Sequence, residues 1–252
     1  MTLLKRSQTG INLTTEGEYL LPLIEELSEA EKSVYAASSK LNGVESGSIR
    51  IGTFSSVACN ILIPVINIFK KEYPGIQIEL REGDNHQTEA WLAEGTVDVG
   101  FIDMPAPSGF ETIPIYTDPF VAVMSAGSKY ADQDVISIDT FEKEPMVLYN
   151  EGTQKEAAGI LRKNKIKANV EYVSRDDRMI LSLIENDLCM GFMGELILAN
   201  SSFDIVSRPT EPQFYRDIVL AVRSREHASS ATKKFIDFIE RDIDKVIDEL
   251  EI

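Results

Sequence analysis

The 252-residue chain holds only two cysteines, two histidines and one tryptophan. Cys59 and Cys189 each stand alone in apolar surroundings. That suits buried reduced thiols better than a disulfide or a metal site. His86 and His227 are far apart and belong to no metal spacing and no recognisable catalytic motif. A Walker loop, a nucleophile elbow and a glycine-rich dinucleotide fingerprint are all missing. No catalytic residue, metal or cofactor is therefore expected, and the chain does not read as an enzyme. No apolar run approaches the length of a membrane span, and the N-terminus has no basic-then-apolar signal pattern. A cytoplasmic protein with no membrane partner is expected. Cations are scarce as well: 25 Lys and Arg face 41 Asp and Glu, a formal net charge of -16. Affinity for nucleic acid rests on neutralising phosphates with Lys and Arg. Lys5 and Arg6 make the only basic pair near the N-terminus, and the charges from Asp237 to Glu251 are mostly acidic. This chain alone is a poor DNA binder.

What is present is a long helix followed by an α/β pattern. Apolar residues fall at Leu20, Leu23, Leu27, Ala30, Val34, Ala37 and Leu41, in unbroken steps of three and four. This is the spacing of a coiled-coil seam, and a stripe so narrow needs a second helix to cover it. The alternative is an ordinary amphipathic helix packed on its own domain. Thr15 and Glu18 fit a capping box at its start, Pro22 predicts a bend, and Gly43 stands past its end. Gly43 to Gly47 reads as a linker. Residues 1 to 13 are polar and poorly periodic, with nothing that can build a core.

From Ser48 strands and helices alternate. Ile49 to Thr53 reads as a strand, Ser55 and Ser56 as caps of a helix through Leu62, Val65, Ile66 and Phe69, and Ile76 to Leu80 as a strand. Asn85 to Glu94 reads as a helix, Val97 to Ile102 as a buried strand, and Phe120 to Met124 as the next apolar run. The pattern then recurs: strand Met146 to Tyr149, helix Lys155 to Asn164, strand Val170 to Val173, helix Ser174 to Asn186, and strands Leu188 to Met193 and Phe203 to Val206. A proline-marked stretch, Arg208 to Pro212, precedes a strand at Ile218 to Val222, and Ser229 to about Leu250 forms the last helix. The expected fold is α/β: an N-terminal part with the short polar segment and the long helix (1–47), then two Rossmann-like subdomains (48–252) around a hinge cleft. Subdomain I takes about 48–124 and 214–252, subdomain II about 125–213, and a chain that crosses twice makes a two-strand hinge.

The segments Arg6-Ser7, Gly10-Ile11, Leu13-Thr14, Gly17, Leu20-Leu21-Pro22 and Gly47-Ser48-Ile49-Arg50-Ile51-Gly52 resemble the LysR-type transcriptional regulators. Phe69, Tyr73-Pro74, Ile78, Leu80, Gly95 and Val97-Asp98-Val99-Gly100 continue the likeness, as do Ser182-Leu183-Ile184 and Gly191-Phe192 more loosely. The resemblance implies a type 2 periplasmic-binding-protein-like fold. It also implies the wing of a winged helix-turn-helix, a dimerising linker helix and a region that binds a small-molecule effector, often a carboxylate. It implies a homodimer or tetramer. The chain begins inside the wing, so the helix-turn-helix is expected to be missing, and DNA would be reached only through that element. Truncation, an expressed fragment and a misassigned start all fit.

In open α/β sheets, ligands bind beyond the carboxyl ends of strands, near helix N-termini with free amide donors. Phe54, Ser55 and Ser56 occupy that place after the first strand; a plain helix cap is the alternative. Ile102 and Asp103 end the third strand. Asp103 there reads either as a cleft carboxylate selecting for an amine or hydroxyls, or as a loop carboxylate in water. Asn150 and Thr153 follow a strand and precede a helix, where they could close over a ligand. Phe192, Met193 and Gly194 end another strand, with Gly191 before them, and turn geometry alone is the alternative for the glycines. The Arg175-Asp176-Asp177-Arg178 cluster reads as a solvated helix end, with an anion or interdomain-partner site as the alternative, and Trp91 reads as core. A solute-binding protein that delivers a ligand to a transporter is the second reading of the same architecture.

Overall fold

The computed structural model describes residues 2–7, 10–41, 46–149 and 157–250. Strands β1 (Leu4–Ser7) and β2 (Gly10–Leu13) form an antiparallel hairpin, so the polar N-terminal segment folds as a local ribbon rather than a core. Helix α1 (Thr15–Leu41) follows. Its cap is Thr14, not Thr15: the Thr14 Oγ1 accepts from the Gly17 amide at 3.0 Å, and its own hydrogen goes to the Thr2 carbonyl. The cap residue must lie outside the helix for its side chain to turn back on the first amides. Gly43 lies outside the described residues, and Gly47 belongs to a strand rather than to a linker.

The next elements follow the expected alternation. They are β3 (Gly47–Thr53), a helix built of α2 (Ser55–Val57), a π turn (Ala58–Leu62) and α3 (Ile63–Glu72), then β4 (Ile76–Glu82), α4 (Asn85–Glu94) and β5 (Val99–Asp103). Asp84 and Gln87 make a reciprocal capping box on α4, and Gly95 ends it in the left-handed conformation, φ 70°. Two long strands are the main departure from the expected pattern. β6 (Glu111–Ser125) extends nine residues upstream of the apolar run at Phe120, where polar and proline residues hid it. After β7 (Ile136–Ser137) and a 3-10 turn come β8 (Met146–Tyr149), α5 (Ala157–Lys163), β9 (Val170–Ser174), α6 (Asp177–Glu185) and β10 (Met190–Gly194). A second 3-10 turn, Glu195–Ile197, leads on to β11 (Ile205–Val222). β11 joins what the sequence divides into a strand, a proline-marked break and another strand. Pro209 and Pro212 do not interrupt it, because they sit at a bulge where the ladder with β6 skips from Pro209 to Phe214. Helix α7 (Ser230–Glu249) closes the chain, capped by Ser229.

The strand order is β4-β3-β5-β11-β6-β10-β8-β9. Each end is a parallel triple with its first strand in the middle, β4-β3-β5 and β9-β8-β10. The antiparallel pair β6 and β11 joins them, β11 lying on β5 and β6 on β10. The two Rossmann-like halves are therefore linked by two continuous strands. In the first half, α3 and α7 bury Phe69, Phe235, Phe238 and Ile239 on one face, while α4 covers Leu92, Val97 and Ile102 on the other. In the second, Phe141, Leu161 and Phe192 fill one face, and Ile180, Leu181 and Ile184 of α6 the other. Trp91 packs at the border of its cluster with the Arg81 guanidinium 4.1 Å from its ring centre, so it is a half-buried edge of the core. Cys189 is buried as expected, and burial first, with the Glu171 charge second, pushes its thiol up to about 11. Cys59 is exposed instead, because it lies on the outer face of the π turn.

Candidate functional site

The two long strands cross between the halves where Asp118, Pro119 and Phe120 of β6 face Arg216, Tyr215 and Phe214 of β11. Asp118 and Arg216 are direct cross-strand partners there. Arg216 Nε donates to Asp118 Oδ2 at 2.8 Å and its Nη2 lies 2.7 Å from the same oxygen, while Asp118 Oδ1 accepts from the Leu196 amide at 2.9 Å. Asp118 is fully buried and the Arg216 side chain is only 11% exposed. The guanidinium also donates to Ser56 Oγ at 3.3 Å, sits 5.3 Å from the Phe54 ring centre, and places Nη1 4.0 Å from Asp103 Oδ2. Gly194 has to be glycine: a Cβ there would press into the Asp118 carboxylate and the Arg216 guanidinium. Burial first, then the charges of Asp118 and Glu195, push the nearby Tyr116 phenol above its ordinary range.

Over this ion pair opens a cavity of about 60 Å³. Phe54, Ser55, Ser56, Asp103, Phe192, Met193 and Gly194 all line it, so the structure brings seven of the sequence candidates together. Ile102 is not among them: it is fully buried under α4, because successive strand residues point to opposite faces. Asn150 and Thr153 lie outside the described residues. Asp103 is no loop carboxylate in water; it is 3% exposed, and its amide donates to Asn85 Oδ1 at 2.7 Å. The Arg175–Arg178 cluster is only partly a solvated helix end. Asp176 caps α6 through the Met179 amide at 2.8 Å, whereas Asp177 faces the cavity. Gly191 is not part of the lining; a Cβ there would strike Ile184 of α6, so its role is helix-to-strand packing.

Sequence reading missed Arg216, Asp118, Asn85, Tyr149 and Asp177. A signal for the first two existed: each stands two residues before an apolar run, Asp118 before Phe120 and Arg216 before Ile218. The helix that starts at Ser55 has Phe54 at its cap position, which supplies no side-chain acceptor. The Ser55 and Ser56 amides are thus left without helical acceptors at the cavity wall, an arrangement that favours an anionic group. Asn60 ties this wall to the opposite half, donating to the Ser56 carbonyl at 3.0 Å and the Leu196 carbonyl at 2.9 Å. A larger hollow of about 880 Å³ lies between α1 and the start of α7. Among its polar side chains, Arg50 pairs with Asp98, Ser224 with His227 and Ser229 with Thr232.

Two α/β halves, two connecting strands and a polar-floored cleft between them define a ligand-binding domain of the type 2 periplasmic-binding-protein kind. The LysR substrate binding domain family matches residues 42–243, and the chain belongs to that family. It is 27% identical over 237 residues to the uncharacterized HTH-type transcriptional regulator YvbU of Bacillus subtilis, covering 93% of this chain and 81% of the relative. It is 25% identical over 240 residues to AlsR of the same organism, covering 90% and 77%. Among solved structures, the effector binding domain of QuiR in complex with shikimate superposes with a TM-score of 0.70 at 18% identity, covering 79% of this chain and 98% of that one. A Corynebacterium glutamicum OxyR C206 mutant gives 0.69 at 20% identity, covering 99% and 80%. The chain carries the effector-binding domain of a LysR-family transcriptional regulator. No described helix is long and apolar enough to cross a membrane.

Proposed function

We propose that the cleft over the Asp118–Arg216 pair holds the effector. In this reading Phe54, Ser55, Ser56, Asp103, Phe192, Met193 and Gly194 form its first contacts, with Asn85, Tyr149, Asp177 and Arg216 beside them. The observation that carries it is the convergence of polar groups from both halves on one cavity at the strand crossing. The site binds and does not catalyse. In this reading the hinge is the crossing of β6 and β11, so subdomain I takes about 48–119 and 214–252 and subdomain II about 120–213, since 120–123 pair with β10. An effector with unequal affinity for open and closed arrangements shifts their balance, and only by that difference. The protein works in the cytoplasm as a homodimer or tetramer through α1, where Leu20, Leu23, Leu27, Ala30 and Val34 form the stripe. The stripe is left largely uncovered by its own domain, with Leu27 71% exposed. The side chains of Ala37 and Leu41, which extend the stripe in sequence, lie outside the described residues. DNA is contacted by the helix-turn-helix heads of the regulator.

The test is a thermal-shift panel of amino acids, sugars, aromatic acids and dicarboxylates. A ligand present at about a hundredfold its Kd adds about 2.7 kcal/mol of stability. Ser55→Trp, which fills the cleft from a half-exposed position, is expected to remove that stabilisation. Stabilisation that survives Ser55→Trp would place the site elsewhere.

A further inference from the structure

We infer that the Glu195–Ile197 turn pins the two halves together at the base of the cleft, with Leu196 as the plug. The open and closed arrangements then differ by a small shift of joined walls, not by a wide swing. The turn follows β10 directly and belongs by sequence to the second half. Leu196 nonetheless buries its side chain, 2% exposed, in the core of the first half with Phe54, Val57, Ile61 and Ile113. Among the described residues, every other buried member of that core comes from 48–119 or 214–252. The next two residues, Ile197 and Leu198, pack against the core of the second half. One short turn thus carries apolar side chains into both cores.

The backbone of the turn is held as well. The Leu196 amide donates to Asp118 Oδ1 at 2.9 Å, and its carbonyl accepts from Asn60 Nδ2 at 2.9 Å. The same nitrogen donates to the Ser56 carbonyl at 3.0 Å, and Asn60 Oδ1 accepts from Asn200 Nδ2 at 3.3 Å. Asn60 is 8% exposed and stands in the π turn, an irregularity that recurs at functional positions. A buried amide parted from such acceptors keeps its desolvation cost.

Two strands alone make a hinge, and a third link restrains it. Ser56 lines one wall of the cavity, Gly194 and Ile197 the other, and the pin joins the segments that carry them. Parting those walls has to break the Asn60–Leu196 bond and draw Leu196 out of a packed core into water. An effector therefore works on a joined pair. That consequence rests on the cleft being the effector site, whereas the pin itself does not.

The experiment is native-state amide hydrogen exchange, followed by NMR on the protein without added ligand. A wide swing is a sub-global opening, which frees the Leu196 amide while the strands stay folded. With the pin in place, the Leu196 amide is expected to exchange only as slowly as the slowest amides of β3 and β5. Asn60→Ala is expected to speed Leu196 exchange at least about tenfold relative to those strand amides. A general loss of stability would speed both alike and leave the ratio unchanged. Asn200→Gly lies at an exposed position whose φ of 61° suits glycine, and it raises the ratio less. It serves if Asn60→Ala impairs folding. Two results overturn the inference: a parent Leu196 amide that exchanges at least about tenfold faster than the strand amides, or a ratio unmoved in every variant that folds. Ligand stabilisation that survives Ser55→Trp would move the effector site and leave the pin standing.

Discussion

At the floor of the cleft, charge is answered within the chain; along α1, apolar surface is not. Arg216 meets Asp118, Asp118 meets the Leu196 amide, and the Asp103 amide meets Asn85, all in places water barely reaches. Leu23, Leu27 and Val34 stand 52%, 71% and 68% exposed on one helix. A buried ion pair is costly to assemble and costs more when half of it is removed, so it fixes the geometry of the strand crossing from within. An exposed apolar stripe gains its stability only from a second surface, and that gain depends on concentration. The ion pair under the cleft is completed within this chain, whereas the stripe on α1 is left open to solvent by it.

The largest effect tests the first half of that contrast. Asp118→Ala leaves the Arg216 guanidinium buried beside an amide without its acceptor, and breaking a buried pair in this way costs about 3–5 kcal/mol. Urea denaturation measures it. The double variant with Arg216→Met is expected to be less damaging than Asp118→Ala alone, because the buried guanidinium is removed together with its closest partner. A single variant that loses under about 1 kcal/mol would put the crossing in the same class as a surface pair.

Leu27→Lys tests the second half. It puts a charge in the middle of the stripe, so for the proposed α1 dimer light scattering is expected to shift from dimers to monomers. The effector domain should keep its urea midpoint, since the Leu27 side chain is mostly in solvent within the single chain. An unchanged dimer would remove α1 as the principal interface.

The same contrast explains what could be read from the sequence. Asn85–Glu94 and Met146–Tyr149 match their expected bounds, because a cap or a short β-branched and aromatic run marks each locally. The triples around β3 and β8 follow from alternation of period. The long strands do not, since Glu111–Pro119 and Ser207–Asp217 are polar and proline-bearing, and only pairing with each other makes them strands. Arg216 and Asp118 were hidden for the same reason: their meaning lies in a contact across 98 residues. Ser55, Ser56 and Gly194 were legible because strand ends and helix starts place them without long-range knowledge. Cys59 was misjudged because the π turn rotates it outward, and a one-residue widening of a helix leaves no trace in apolar spacing.

The smallest effect belongs to an exposed pair that should behave unlike the cleft floor. Glu144 accepts from Lys129 Nζ at 2.7 Å and from the Tyr130 hydroxyl at 2.8 Å. The Lys129 hydrogen bond first and the Tyr130 bond second hold its carboxyl below the ordinary range. A lowered carboxyl stabilises the folded state above its unfolded value of 4.5, and that contribution is lost as pH falls through the lowered folded value. Glu144→Gln is therefore expected to shift the urea midpoint slightly downward at pH 7. The difference from the parent should shrink below about pH 4.5 and vanish in stronger acid. Added salt should shrink it at pH 7 as well, because solvent reaches Lys129. A difference that stays constant down to pH 3 would mean that the carboxylate's charge contributes nothing, leaving only the hydrogen-bond geometry, which glutamine alters.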